Sequence, residues 1–308
     1  MSTLRGFFLA MLWAVASPGA SDWIAGIGAQ AERDPKGNVI GVNLRGSWIN
    51  DAEMIQLARL TNLEKLDLSH ARITDEGLLH LKPAAKIREL NLYYAEWITD
   101  QGMTAIANWK QLKRLNVRGT RISDSTLEIV SRITGLEALD IAHAPITDNG
   151  LDHLITLVNL KELAMGGGRR SSGALTVLRM LPTLTHLDLS GARPAPPDMP
   201  GRAGAGSGMP EESLRSIAEL KDLRVLKLGH QNITPAGLRI LASLEKVEAL
   251  GLEGCQRVDD SAVAVLTGWR SLKRLDLQDT KVTAQGLATL VKARPDLAVL
   301  PALPKSSE

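Results

Sequence analysis

Residues 63–86 read LEKLDLSHARITDEGLLHLKPAAK, and this stretch decides the fold. Leu63, Leu66 and Leu68 alternate at their end with Lys65, Asp67 and Ser69, a period of two that makes a short strand with one buried face. Ala71 is a small residue at a tight turn, and Ile73 is a lone apolar anchor after it. Thr74 and Asp75 read as a helix start: the hydroxyl accepts from an orphan N–H, and the carboxylate suits the positive helix end. Leu78 and Leu81 give the short helix a buried stripe, and Pro83 ends it.

One such unit cannot bury its own leucines, so units must stack and share a core. The strand starts fall at Val39, Leu63, Ile87, Leu112, Leu136, Leu160, Leu184, Leu223, Val247, Leu272 and, more weakly, Leu297. The intervals are 24 or 25 residues except for one of 39 between Leu184 and Leu223. That period lies outside the range of helical-hairpin repeats. The 308 residues are 44% hydrophobic but only 3% aromatic, so the core is built from Leu, Ile and Val at regular intervals. Unbroken periodicity argues for one elongated domain over 39–303, with residues 17–38 as a cap on its first coil and 304–308 as a polar tail.

The segments VIGVNLRGSWINDAEM (39–54), ITDEGLLHL (73–81), ITDQGMTAI (98–106), ISDSTLEIV (122–130) and ITDNGLDHL (146–154) resemble bacterial leucine-rich-repeat proteins of the I-T-D-x-G-L type. They are also similar to the cysteine-containing subclass of these repeats found behind F-box modules in ubiquitin-ligase adaptors. The resemblance covers roughly residues 39 to 303. It implies a right-handed α/β solenoid, with a curved parallel sheet on the concave side and short helices on the convex side. It further implies protein or peptide binding on the concave face, without catalysis and without a cofactor. The alternative is a substrate-recognition subunit or adaptor for a separate enzyme such as a ubiquitin ligase.

Residues 1–16 differ from the rest. Arg5 precedes the apolar run GFFLAMLWAVA (6–16), and Ala14-Val15-Ala16 is a small-x-small cleavage site, the layout of a signal peptide. The expectation is therefore export to the periplasm or cell exterior, with no membrane span in the mature chain; an uncleaved segment would leave the protein cytoplasmic.

A search for reactive groups returns little. Metal ligation by His70 and His143 fails on distance: they share a row three strands apart, roughly 14 Å at the strand spacing, whereas zinc ligands stand at about 2 Å. Cys255, the one cysteine, occupies the small-residue turn position and reads as packing. The column Asn43, Asp67, Asn91, Asn116, Asp140, Asp188 and Asp276 belongs to the repeat consensus rather than to a carboxylate site. The basic group Lys113, Arg114, Arg118 and Arg121 has no aromatic neighbours to stack bases, and a net charge of +2 argues against a nucleic-acid partner.

Two neighbouring units break the pattern. Gly166 to Gly173 replaces the I-T-D signature after the sixth of these strands, and GARPAPPDMPGRAGAGSG (191–208) follows the next strand. The insertion, close to 193–207, leaves the same edge of the sheet as Arg169 and Arg170. The candidate ligand site is accordingly the middle of the arc: His143, Gly166, Gly167, Arg169 and Arg170, with Arg193 and Arg202 in the inserted loop. Ala138, Ala142 and Ala164 are its expected low floor, and a protein or peptide its expected ligand.

Overall fold

The computed structural model describes residues 22–167, 171, 174–191 and 211–302. Within these residues twelve strands form one sheet in chain order: β1 (Gln30–Arg33), β2 (Val39–Asn43), β3 (Lys65–Asp67), β4 (Glu89–Asn91), β5 (Arg114–Asn116), β6 (Ala138–Asp140), β7 (Glu162–Ala164), β8 (His186–Asp188), β9 (Val225–Lys227), β10 (Ala249–Gly251), β11 (Arg274–Asp276) and β12 (Ala298–Leu300). From β2 onward every pairing is parallel and in strict register, Leu66 facing Leu90 and Leu90 facing Leu115, so the strands align residue for residue. β1 alone pairs antiparallel, closing the first edge through the Asp34–Asn38 turn, where the Asp34 carboxylate accepts from the backbone of Lys36 and Asn38. Short helices, some of them 3₁₀, lie across the other side of each coil.

The core is a set of leucine columns. Leu66, Leu90, Leu115, Leu139, Leu163, Leu187, Leu226, Leu250 and Leu275 occupy the middle of consecutive strands, and all are buried. Each side chain of this kind contributes roughly 1.5–3 kcal/mol on burial, and each does so only because a neighbouring coil covers it. The Asn/Asp column at the strand ends is explained locally. Asp67, Asn91, Asn116, Asp140, Asp188 and Asp276 each accept from the backbone N–H two residues on, turning the chain out of the strand.

The I-T-D-x-G signature is a latch between coils as well as a helix start. Thr74 caps its own helix through Glu76 N, while Thr74 N and Oγ1 both donate to Asp51 of the preceding coil at 2.8 and 2.6 Å. The same bonds join Thr99 to Asp75, Ser123 to Asp100, Thr147 to Asp124 and Thr283 to Asp260. The glycine of the signature makes the close approach possible: a Cβ on Gly77, Gly102, Gly150 or Gly286 would collide with the aspartate of the preceding coil. Where residue 126 is Thr instead of Gly, its hydroxyl donates to Asp100. At the far end the buried Arg294 guanidinium donates to the carbonyls of Trp269 and Leu272 and to Asp296, tying down the last turn.

Candidate functional site

The open face of the sheet forms a trough of about 880 Å³ lined by side chains from β1 through β9. The outward positions of these strands supply its floor and its charges. Ala138 and Ala164, both expected in the floor, line it; Ala142 is fully buried and takes no part. The short alanines leave room for long side chains to reach across them. Arg114 spans Ala138 to make a two-pronged pair with Glu162, at 3.1 and 2.6 Å. Arg118 donates to Asp140 at 3.0 Å and approaches Asp188, beyond Ala164, at 3.7 Å.

These contacts account for three members of the basic group. Lys113 pairs with Glu137, Arg114 with Glu162 and Arg118 with Asp140, so the charges are matched within the sheet. A second line of pairs runs along the entry edge, Lys161 to Glu137, Arg224 to Glu248 and Lys273 to Glu248. The electrostatics follow. The Arg114 hydrogen bond holds the Glu162 carboxyl below its ordinary range. Burial pushes Asp140 up despite the pull of Arg118. Burial, and then Arg118, pushes His143 down.

Of the predicted site residues, His143, Gly166 and Gly167 meet at the strand-exit edge. His143 sits in the left-handed region (φ 58°) and its ring lies over Gly167 of the next coil, where a Cβ would strike it. His230 covers Gly254 in the same way. A Cβ on Gly166 would strike the Ser190 carbonyl, so this glycine serves coil-to-coil packing. Arg169, Arg170, Arg193 and Arg202, with the 193–207 insertion, lie outside the described residues, as do residues 1–16 and 304–308. Cys255 is buried with its thiol 3.2 Å from the Leu228 carbonyl, and burial pushes it up to about 12. That thiol is not a nucleophile at neutral pH. Among the described residues no helix is long and apolar enough to cross a membrane.

Sequence reasoning missed the aromatic edge of the first coils. Tyr93 lines the trough, its ring meeting His70 at 5.2 Å and Tyr94 at 4.7 Å, and Arg72 lies 4.5 Å over the exposed Trp48 ring. The available signal was position: both tyrosines and Trp97 fall within a single unit of an otherwise aromatic-poor chain.

Comparison with known proteins agrees with this geometry. A family model described as Leucine Rich repeat matches residues 59–81, 134–154 and 270–291. The fold is a leucine-rich-repeat solenoid. Internalin C2 of Listeria monocytogenes is similar to 70% of this chain over 80% of its own, at 23% identity and a TM-score of 0.51. The leucine-rich-repeat ectodomain of the Arabidopsis receptor kinase HAESA, solved with an IDA peptide hormone, is similar to 82% of this chain over 40% of its own, at 20% identity and a TM-score of 0.53. A chain of the mouse RP105/MD-1 complex is similar to 80% of this chain over 39% of its own, at 20% identity and a TM-score of 0.53. This chain therefore spans well under half of the latter two. No curated protein sequence matches it.

Proposed function

We propose that the protein is a noncatalytic recognition scaffold that holds a segment of another protein or a peptide along its sheet face. The observation that carries this reading is the trough of about 880 Å³, built from nine consecutive strands and open to solvent. Its walls are preformed: Arg114 and Arg118 are already fixed by their acidic partners, so binding orders little that is loose. The HAESA ectodomain with its peptide hormone supports the reading as a case of this fold holding a peptide. The proposal keeps Arg169, Arg170, Arg193 and Arg202, with His143, Gly166 and Gly167, as candidate contacts for the same partner. The N-terminal run GFFLAMLWAVA supports export of the chain.

The test is capture of randomised twelve-residue displayed peptides by the immobilised protein. Enriched peptides should lose at least tenfold in affinity to Ala164→Trp, which fills the floor, and nothing to Ile155→Trp on the exposed helix side. No capture, or capture indifferent to Ala164→Trp, would overturn the reading. Deleting 193–207 together with Arg169→Ala and Arg170→Ala should also weaken capture; unchanged affinity would remove that edge from the site. Mass determination of the mature N-terminus tests export.

A further inference from the structure

The trough is electrically uneven along its length. Its cations are largely spent on internal partners: Lys65 on Glu32, Arg114 on Glu162 and Arg118 on Asp140. At the β3–β4 end two carboxylates have no cation of their own among the described residues. The Glu89 carboxylate, exposed on β4, makes no hydrogen bond or ion pair there, and the Asp67 carboxylate accepts only from Ser69 and Asn91. Lys65 and Arg114 flank Glu89 on the adjacent strands and feel its charge, yet both are held elsewhere. Glu89 and Asp67 are therefore carboxylates of the trough that hold no ion pair among the described residues.

Aromatic rings gather at the same end. The chain has two tyrosines and six tryptophans, and both tyrosines and the two strongly exposed tryptophans, Trp48 and Trp97, belong to the coils of β2 and β4. Tyr93 lies on the trough two residues beyond Asn91 and is braced edge-on against His70 and Tyr94. The stacking of Arg72 over Trp48 shows that this edge already receives a guanidinium of the protein's own. An aromatic face near carboxylates that hold no cation is the chemistry that accepts a lysine or arginine. Tyrosine and tryptophan are also the residue types on which interface energy concentrates.

The geometry points to two neighbouring contacts in the trough, Tyr93 with Asp67 and Glu89 by itself, each for a lysine or arginine side chain of the partner segment. This inference rests on the trough reading above and names the chemistry it selects. Glu89 opens β4 and Tyr93 lies in the turn just past its end, four residues on and up to about 13 Å away at the strand rise. One basic side chain thus engages the Tyr93–Asp67 end while a second meets Glu89.

Peptides captured by the wild-type protein from the randomised library should be enriched in lysine or arginine. Their affinity should fall at least threefold in Glu89→Gln and in Tyr93→Ala and tenfold or more in Asp67→Asn/Glu89→Gln, each variant still unfolding in one cooperative transition and Glu89→Gln at the wild-type temperature. Salt at 0.5 M should weaken them comparably, because these contacts are open to solvent. Captured peptides without basic enrichment, or basic peptides that ignore these substitutions while still lost to Ala164→Trp, would overturn the inference and leave the trough reading standing. Loss to neither set of variants, or no capture at all, would overturn both. Concentration-dependent dimers in sedimentation that Glu89→Gln dissolves would make a second copy the occupant and overturn a foreign basic partner.

Discussion

Replacing Asp100 by alanine removes the most heavily used latch between coils. Its carboxylate accepts from Ser123 N at 2.8 Å, Ser123 Oγ at 2.5 Å, Thr126 N at 3.1 Å and Thr126 Oγ1 at 2.5 Å. Thr126 is fully buried, so its hydroxyl would be left without an acceptor. A hydrogen bond to a charged group is worth about 1.5–3 kcal/mol and a stranded buried donor costs about 1–3 kcal/mol. These contributions overlap because one group makes them all. The expected loss is about 3–4 kcal/mol, with Asp100→Asn intermediate because it keeps one acceptor oxygen. Urea unfolding followed by circular dichroism reads the loss, and adding Thr126→Val to Asp100→Ala should recover about 1 kcal/mol or more by removing the stranded hydroxyl. Against the cost of burial, the bonds from Ser123 and Thr126 hold the Asp100 carboxyl below its ordinary range. A depressed folded-state value gives stability that is present above the unfolded value, near pH 4, and is lost as pH falls below it. Asp100→Asn should therefore flatten the acid limb of the stability curve. A loss under about 0.5 kcal/mol, or an acid limb unchanged in Asp100→Asn, would refute the latch.

Three further outcomes follow from the same contacts. Gly102→Ala should destabilise by about 1–3 kcal/mol through collision with Asp75, although alanine is favoured over glycine inside a helix by about 1 kcal/mol; a stabilised variant in the same unfolding assay would contradict the packing. Cys255 should resist a thiol reagent at pH 8 in the native protein and react only on unfolding, given a thiol pushed up to about 12; rapid native-state labelling would contradict its burial. Leu139→Ala, in the middle of the leucine columns, should cost about 2–5 kcal/mol, and hydrogen exchange should localise the loss to the adjoining coils; uniform loosening along the chain would contradict nearest-neighbour stabilisation.

The strand register was legible because period-two leucines recur every 24 or 25 residues, so Leu66, Leu90 and Leu115 could be aligned from spacing alone. The aspartate of the signature was legible only in part. Its helix-start role is local, but its acceptance from the next coil's threonine depends on how closely two helices approach, which no single unit states. Gly77 is the same case: its reason is Asp51, one coil away. The trough pairs were hidden for a related cause. Arg114 and Glu162 are two strands apart, and the pair exists because Ala138 lies low between them. The predicted middle of the arc thus met the trough at Ala138 and Ala164. The aromatic edge at Tyr93 went unread because a low aromatic content says nothing about where the few rings gather.

The central claim is that recognition takes place on the strand face. Carbodiimide labelling of carboxylates, read by mass spectrometry with and without a peptide captured by the wild-type protein, tests it most directly. Labelling of Glu89 in the trough should fall several-fold on binding while Glu76 and Glu128 on the helices remain unchanged. Protection of Glu76 and Glu128 with Glu89 still labelled would place recognition on the helical side and contradict the account.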